Sequence, residues 1–169
     1  MAGKKYMQLV NGKKSLTKSK DLSTGAADAG EIVALNAEGK IDSTMLQDID
    51  NTNVPAFEDL SSGDYVNLFD DGGVVKARKA DNSNNRPAHG YVKDNVVAPA
   101  SVTVFFEGAN SNLSSLTEGS RQYLGTAGAA VETPLDPTNA ADDGKIHQLL
   151  GVAISDTEVN TDIQDCIIL

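Results

Sequence analysis

The chain has 169 residues, with 14 basic and 24 acidic side chains, a single cysteine and no tryptophan. One cysteine excludes an intrachain disulfide and fits a reducing cytosol. No apolar run reaches the ~18 residues that cross a bilayer, and the N-terminal lysines have no apolar stretch behind them to make a secretory signal. Charge is segregated along the chain. The first twenty residues carry Lys4, Lys5, Lys13, Lys14, Lys18 and Lys20 and no acid, which leaves 8 basic against 24 acidic side chains, or −16, over 21–169. An acidic body repels nucleic acid, and a basic arm beside it is suited to gripping an acidic protein surface.

Residues 1–20 read as a lysine-rich extended arm whose only apolar cluster is Tyr6, Met7, Leu9 and Val10, with a turn at Asn11-Gly12. The arm is expected either as one short hairpin or as a strand added to a neighbour. Fully extended, it would reach about 70 Å. Residues 21–50 form a Gly/Ala-rich joint: small residues, then a short apolar strand, Glu31-Ile32-Val33-Ala34-Leu35, a turn at Asn36-Ala37-Glu38-Gly39-Lys40, and one helical turn from Ile41 to Leu46 that Asp42 or Ser43 would cap. Nothing in 1–53 is long enough to bury a core alone. These residues are therefore read as an arm, and 54–169 as the body.

From Val54 onward, short apolar runs alternate with Gly-, Asp- and Asn-rich breakers. Strands are predicted over 64–68, 74–80, 89–93, 101–107, 121–124, 129–132, 148–154 and 162–169, with breakers at 71–73, 81–87, 108–112, 125–128 and 134–144. Strands at this spacing, with no helical periodicity between them, predict a mainly β fold: a small β-barrel or sandwich. The body also repeats itself. Leu60-Ser61-Ser62-Gly63-Asp64-Tyr65 is echoed by Leu116-Thr117-Glu118-Gly119-Ser120-Arg121, 56 residues on, and Gly90 by Gly151, 61 residues on. Two such halves are expected to close into one barrel about a pseudo-twofold axis.

No residue set points to chemistry. His89, His147 and Cys166 are too few and too scattered for a structural zinc site. Cys166 lies in an apolar tail, where a free cysteine is normally a small core residue. Asp48, Asp50, Thr52 and Asp59 loosely match a calcium loop, but Asn53 stands where the turn needs Gly. Lys76 and Arg78 share one strand face. No aromatic platform of the kind single-stranded nucleic acid stacks on is visible beside them. No catalytic residue, cofactor or metal is expected.

Three segments carry a resemblance. The first runs from Gly25 to Asp42. The second runs from Leu60 to Leu68 and continues through Arg78-Lys79-Ala80-Asp81 to Ala88-His89-Gly90-Tyr91-Val92. The third runs from Leu116 to Gly125 and ends in Leu150-Gly151-Val152-Ala153-Ile154-Ser155. Together they resemble small structural proteins of tailed-bacteriophage virions, namely capsid cement or decoration proteins and head-fibre proteins. The first segment also resembles the base of phage tail fibres. The resemblance implies a scaffold rather than a site. With it comes an expected role: a cement protein on the capsid exterior, made in the host bacterial cytoplasm. It would bind the major capsid protein and itself, as a homotrimer, and neither nucleic acid nor membrane. A head- or tail-fibre attachment protein and a small carbohydrate-binding adsorption module are the alternatives.

Overall fold

A computed structural model describes residues 5–11, 13–24, 27, 31–42, 45 and 50–169. The chain divides into two compact units, Met1–Ile49 and Asp50–Leu169. The first holds an antiparallel hairpin of β1 (Lys5–Val10) and β2 (Lys13–Lys18). Asn11 turns it with φ of 50°, the left-handed conformation that asparagine tolerates better than most residues. Behind the hairpin, Lys20 bridges to Val33: Lys20 N–H donates to the Ile32 carbonyl at 2.9 Å, and Ala34 N–H to the Lys20 carbonyl at 2.6 Å.

The second unit is mainly β, with no α-helix among the described residues. Its first sheet comprises β3 (Asn51–Pro55), β4 (Tyr65–Asp70), β5 (Val75–Lys79), β6 (Gly90–Val92) and β7 (Ser101–Phe105), in the order β3-β7-β6-β4-β5. Its second comprises β8 (Gly108–Asn110), β9 (Arg121–Leu124), β10 (Ala130–Val131), β12 (Leu149–Ala153) and β13 (Val159–Thr161), in the order β8-β13-β12-β9-β10. A small third sheet pairs β11 (Ile146–His147) with β14 (Ile167–Ile168). Numbered within its own half, each five-stranded sheet runs first, fifth, fourth, second, third, and every pairing is antiparallel.

The registers repeat too. Tyr65 lies opposite Tyr91 and Val66 opposite Gly90, just as Arg121 lies opposite Val152 and Gln122 opposite Gly151. The Gly63 and Gly119 amides donate to the carbonyls of Val92 and Ala153, equivalent residues, at 2.8 Å each. Both glycines have positive φ, 94° and 78°, as the third residue of this turn requires. Gly90 and Gly151 recur for a steric reason. A Cβ on Gly90 would sit 2.5 Å from the Phe105 carbonyl oxygen, and one on Gly151 would collide with the equivalent carbonyl of Asn160. The duplication is therefore in the fold, not only in the turn residues.

The expected mainly β fold is present, with its antiparallel sheets arranged as in a sandwich and not closed into a single barrel. The first sheet curls until Ala56, just past β3, bridges Ala77 of β5, and the Phe57 amide donates to the Ala77 carbonyl at 2.7 Å. That is one bridge and not a closing ladder. Inside the curl lies a core of Val54, Ala56, Leu60, Val66, Ala77, Val92, Val102 and Val104. The pseudo-twofold expectation also fails, because the halves pack head to tail. Tyr65, Tyr91 and Phe105 lie side by side on the outer face of the first sheet, opposite that core. They share a second core with Leu124, from the inner face of the second sheet, and with Ile146 and Leu150. On the second sheet the equivalents of those three aromatics are Arg121, Val152 and Asn160, all exposed. The first half thus fills itself, whereas the second half is filled by the first.

Polar groups stitch this junction. Gln148 reads the Ala88 backbone at both ends, accepting from its N–H at 2.8 Å and donating to its carbonyl at 3.1 Å. Asp81, buried, accepts from the Ser83 N–H and hydroxyl at 2.9 and 2.7 Å, and from the Ala127 N–H of the other half at 3.1 Å. Burial alone would raise the Asp81 carboxyl, but these hydrogen bonds outweigh it and hold the pKa below its ordinary value. The stabilisation is therefore present above about pH 4, the unfolded-state value, and is lost as pH falls through the depressed folded value. Asp81→Asn sets an amide N–H₂ against these donors and is expected to cost about 1–3 kcal/mol at pH 7. Denaturant melts should show the gap between variant and wild type narrowing from pH 5 to pH 2. A gap independent of pH would contradict this account.

The second sheet's inner face carries one residue that its repeat mate does not predict. Gln122 occupies the position of Val66, is fully buried, donates from Nε2 to the Ser120 hydroxyl at 2.8 Å and leaves Oε1 without a partner among the described residues. A buried orphan acceptor costs about 1–3 kcal/mol. Ser120 keeps its own bond to the Thr117 carbonyl without the glutamine. Gln122→Leu is therefore expected to raise stability by about 1 kcal/mol, measured as a higher thermal midpoint, and a clear drop would contradict it.

Candidate functional site

Eight of the arm residues, Lys5, Tyr6, Met7, Leu9, Val10, Lys13, Lys14 and Lys18, occupy one hairpin, and its register sorts them. Lys5 lies directly opposite Lys18, and Met7 opposite Leu16; with Lys14 they share one face. Met7 and Leu16 are 66% and 65% exposed. The face is thus an exposed apolar pair bordered by lysines. Like charges directly opposite are destabilising in a sheet pair, and a lone two-stranded hairpin is marginal in water. The opposite face is engaged within the unit. The Tyr6 hydroxyl donates to Glu31 Oε2 at 3.1 Å and accepts from the Ile32 N–H at 3.4 Å. Tyr6 therefore anchors the hairpin internally, while Met7 is presented outward. Lys13 is an exposed end residue of β2, and Lys20 lies at the Val33 bridge. Leu9 and Val10 close β1, and Lys4 lies outside the described residues. The six-residue strands span about 20 Å, against the 70 Å expected of an extended arm. Beyond the hairpin, Leu22, Ile32, Val33, Leu35 and Ile41 of the joint are also exposed.

A cleft of about 580 Å³ opens on the body, lined in part by Leu68, Pro87, His89, Gln148, Asp162 and Cys166. Cys166 is exposed there and precedes β14, so its expected place in a core is incorrect. In the apolar tail the strand is limited to Ile167–Ile168, both of which face solvent. The cleft brings Cys166 and His89 to one lining, a meeting that sequence spacing did not indicate. His89 Nδ1 accepts the Leu68 N–H at 3.0 Å, so the neutral ring carries its proton on Nε2 and its one basic lone pair is already in use. Partial burial pushes the imidazole below its ordinary pKa, which favours that neutral form. The pair therefore lacks the free base that activates a thiol nucleophile. His147 lies apart, its ring centroid 5.0 Å from that of Tyr123. Thr52 and Asn53 of the loose calcium-loop pattern are strand residues of β3, and Asp48 lies outside the described residues. Among the described residues no group of three or more His, Cys, Asp or Glu side chains is placed to hold a metal ion.

A second surface was not legible in the sequence. Register places Phe69 opposite Lys76, and Asn67 opposite Arg78, on the outer face of β4–β5. Phe57, 51% exposed, meets Phe69 edge-on with ring centroids 5.1 Å apart. The Arg78 guanidinium lies 4.1 Å from the Phe69 centroid, and Lys76 Nζ lies 5.9 Å from that of Phe57. The basic strand face thus has the aromatic neighbours that it was expected to lack.

Compared with models of known protein families the chain matches none, and no curated protein matches it.

Proposed function

We propose that this protein is a non-enzymatic structural component of a tailed-phage virion, a cement protein that binds the exterior of the assembled head across capsomer seams. The observation that carries this reading is the outward hairpin face, Met7 and Leu16 bordered by Lys5, Lys14 and Lys18. Such a face is completed by an acidic, partly apolar partner surface. The resemblance of the three segments to phage cement and head-fibre proteins supports the identity of that partner as the major capsid protein. A ligand that binds only the assembled shell stabilises it by mass action. Seams at threefold positions favour a homotrimer, which also covers exposed apolar side chains. No metal or cofactor has a part in this reading.

The joint supports a second reading. Five exposed apolar side chains within 22–41 suit a segment that trimerises at a fibre base. Counting copies per purified particle by quantitative mass spectrometry separates the two. Hundreds of copies are expected for cement, and a handful would replace that reading with fibre attachment. A carbohydrate-binding module would instead bind host glycans in the absence of shells.

A further inference from the structure

The outer face of β4–β5 stands out because the surrounding unit is acidic: residues 50–169 carry 18 acidic against 7 basic side chains. On that face Arg78 is held from two sides. Its Nε–H donates to Asn67 Oδ1 at 2.9 Å, and Asn67, only 4% exposed, is itself fixed by donating from Nδ2 to the Pro87 carbonyl at 2.8 Å. Phe69 backs the guanidinium plane. Neighbouring cations have acids of their own: Lys76 pairs with Asp71 at 2.6 Å, Arg86 with Glu58 at 3.9 Å and Lys79 with Asp64 at 3.2 Å. Arg78 makes no ion pair among the described residues. Burial and the nearby positive charge of Arg86 both push its pKa down, with Glu58 offsetting part of that, so an added anion would relieve an unfavourable environment. A guanidinium locked in place, backed by an aromatic ring and lacking a carboxylate is pre-organised for planar, two-pronged recognition of a carboxylate.

We propose that Arg78, flanked by Phe57 and Phe69, is the anchor of a docking site for an acidic peptide segment of a partner protein. A Glu or Asp carboxylate takes the free edge of the Arg78 guanidinium, and an adjacent apolar or aromatic side chain lies against Phe57. Charge complementarity selects the occupant. Nucleic acid would bring a phosphate backbone onto a unit with an excess of eleven acids, whereas one or two peptide carboxylates match one free guanidinium. Half-exposed Phe57 provides apolar area that a free inorganic anion would not use. The site is built only from residues of the body, includes none of the arm residues, and stands whether or not the cement reading is correct.

The test titrates the full-length protein with the blocked peptide acetyl-Glu-Phe-Glu-Glu-amide, followed by nitrogen–proton spectra that include the Arg78 Nε–H and the Asn67 side-chain amide. Saturable shifts centred on Arg78, Asn67 and Phe57 are expected. Affinity should fall at least tenfold in Arg78→Lys, which keeps the charge and loses the planar fork, and in Phe57→Ser, an exposed change that spares the fold. The all-Gln peptide should not bind. Equal affinity for the Gln peptide, unchanged binding in Phe57→Ser, or shifts scattered over the surface would overturn the proposal. So would acetate alone binding as tightly as the peptide, or a thymidine decanucleotide binding the same residues more tightly.

Discussion

A protein lacking residues 2–20 is expected to remain folded and soluble, with its thermal midpoint within a few degrees of the parent's, and to bind undecorated phage shells at least tenfold more weakly. Among the described residues the body's two cores are built from within 54–163, so its stability is not expected to depend on the first twenty. Loss of shell binding follows from the hairpin face. Removing it deletes the Met7–Leu16 apolar pair, which in a partner's groove would bury enough surface to contribute about 1.5–3 kcal/mol per side chain. The lysines do something different. Exposed ion pairs contribute only about 0–1 kcal/mol each, and salt screens them. Replacing Lys4, Lys5, Lys13, Lys14, Lys18 and Lys20 together by Gln should therefore give a smaller loss, felt mainly in the association rate, and should flatten its dependence on ionic strength. Met7→Asp with Leu16→Asp should approach the deletion while keeping every lysine. Surface-resonance measurements on immobilised shells at low and high salt distinguish the three. If the deletion binds as tightly as the full chain, the hairpin is not the attachment element and the cement reading loses the observation that carries it.

What the sequence reveals depends on which forces are local. β9 is read end to end as Arg121–Leu124 because it sits between glycine-bearing turns, although Arg-Gln-Tyr-Leu does not alternate and buried Gln122 is not foreseen. The turns at Gly63 and Gly119 are equally visible, since positive φ selects glycine whatever lies around it. Strands that exist only through their partners are not visible. β3 is Asn-Thr-Asn-Val-Pro, and nothing in that string proposes a strand until β7 lies beside it. β8 falls inside a predicted breaker, and β13 has three residues. Between residues 162 and 169 the apolar letters suggest a buried strand, yet only Ile167 and Ile168 form one and both are exposed. Strand preference of this kind is set by neighbours rather than by the residue itself. The same limit applies to the surfaces. Alternation tells that Lys76 and Arg78 share a face, but Phe57 reaches them only because the chain after β3 folds across the edge of β5. It likewise tells that Tyr65 and Tyr91 face away from Val66 and Val92, without telling that the second half will lie on them.

The dependence of the second half on the first gives the sharpest test of the fold. In a barrel closed by two equivalent halves, neither half would be stable alone, and cutting between them would affect both alike. Head-to-tail packing predicts asymmetry. Residues 50–107 contain a complete core of their own, enclosed by the curl that Ala56 and Ala77 join. Residues 108–169 do not: their inner face buries Leu124, Ala153 and Val159 beside the polar Asn110, Gln122 and Thr161, and relies on Tyr65 and Tyr91 for its bulk. Thr161 even bonds across the junction, its hydroxyl 3.2 Å from that of Tyr65. Losing a buried aromatic costs about 3–5 kcal/mol, comparable with the whole stability of a domain of some sixty residues. Expressed separately, 108–169 should be unfolded by amide dispersion and hydrogen exchange. By contrast, 50–107 should keep protected amides in β4, β6 and β7, although Tyr65, Tyr91 and Phe105, now uncovered, make it prone to associate. Mixing the fragments should restore structure to 108–169, and Tyr65→Ala with Tyr91→Ala in the first fragment should abolish that rescue. Cooperative unfolding of 108–169 on its own would show that the second half has an independent core, and the head-to-tail account would fail.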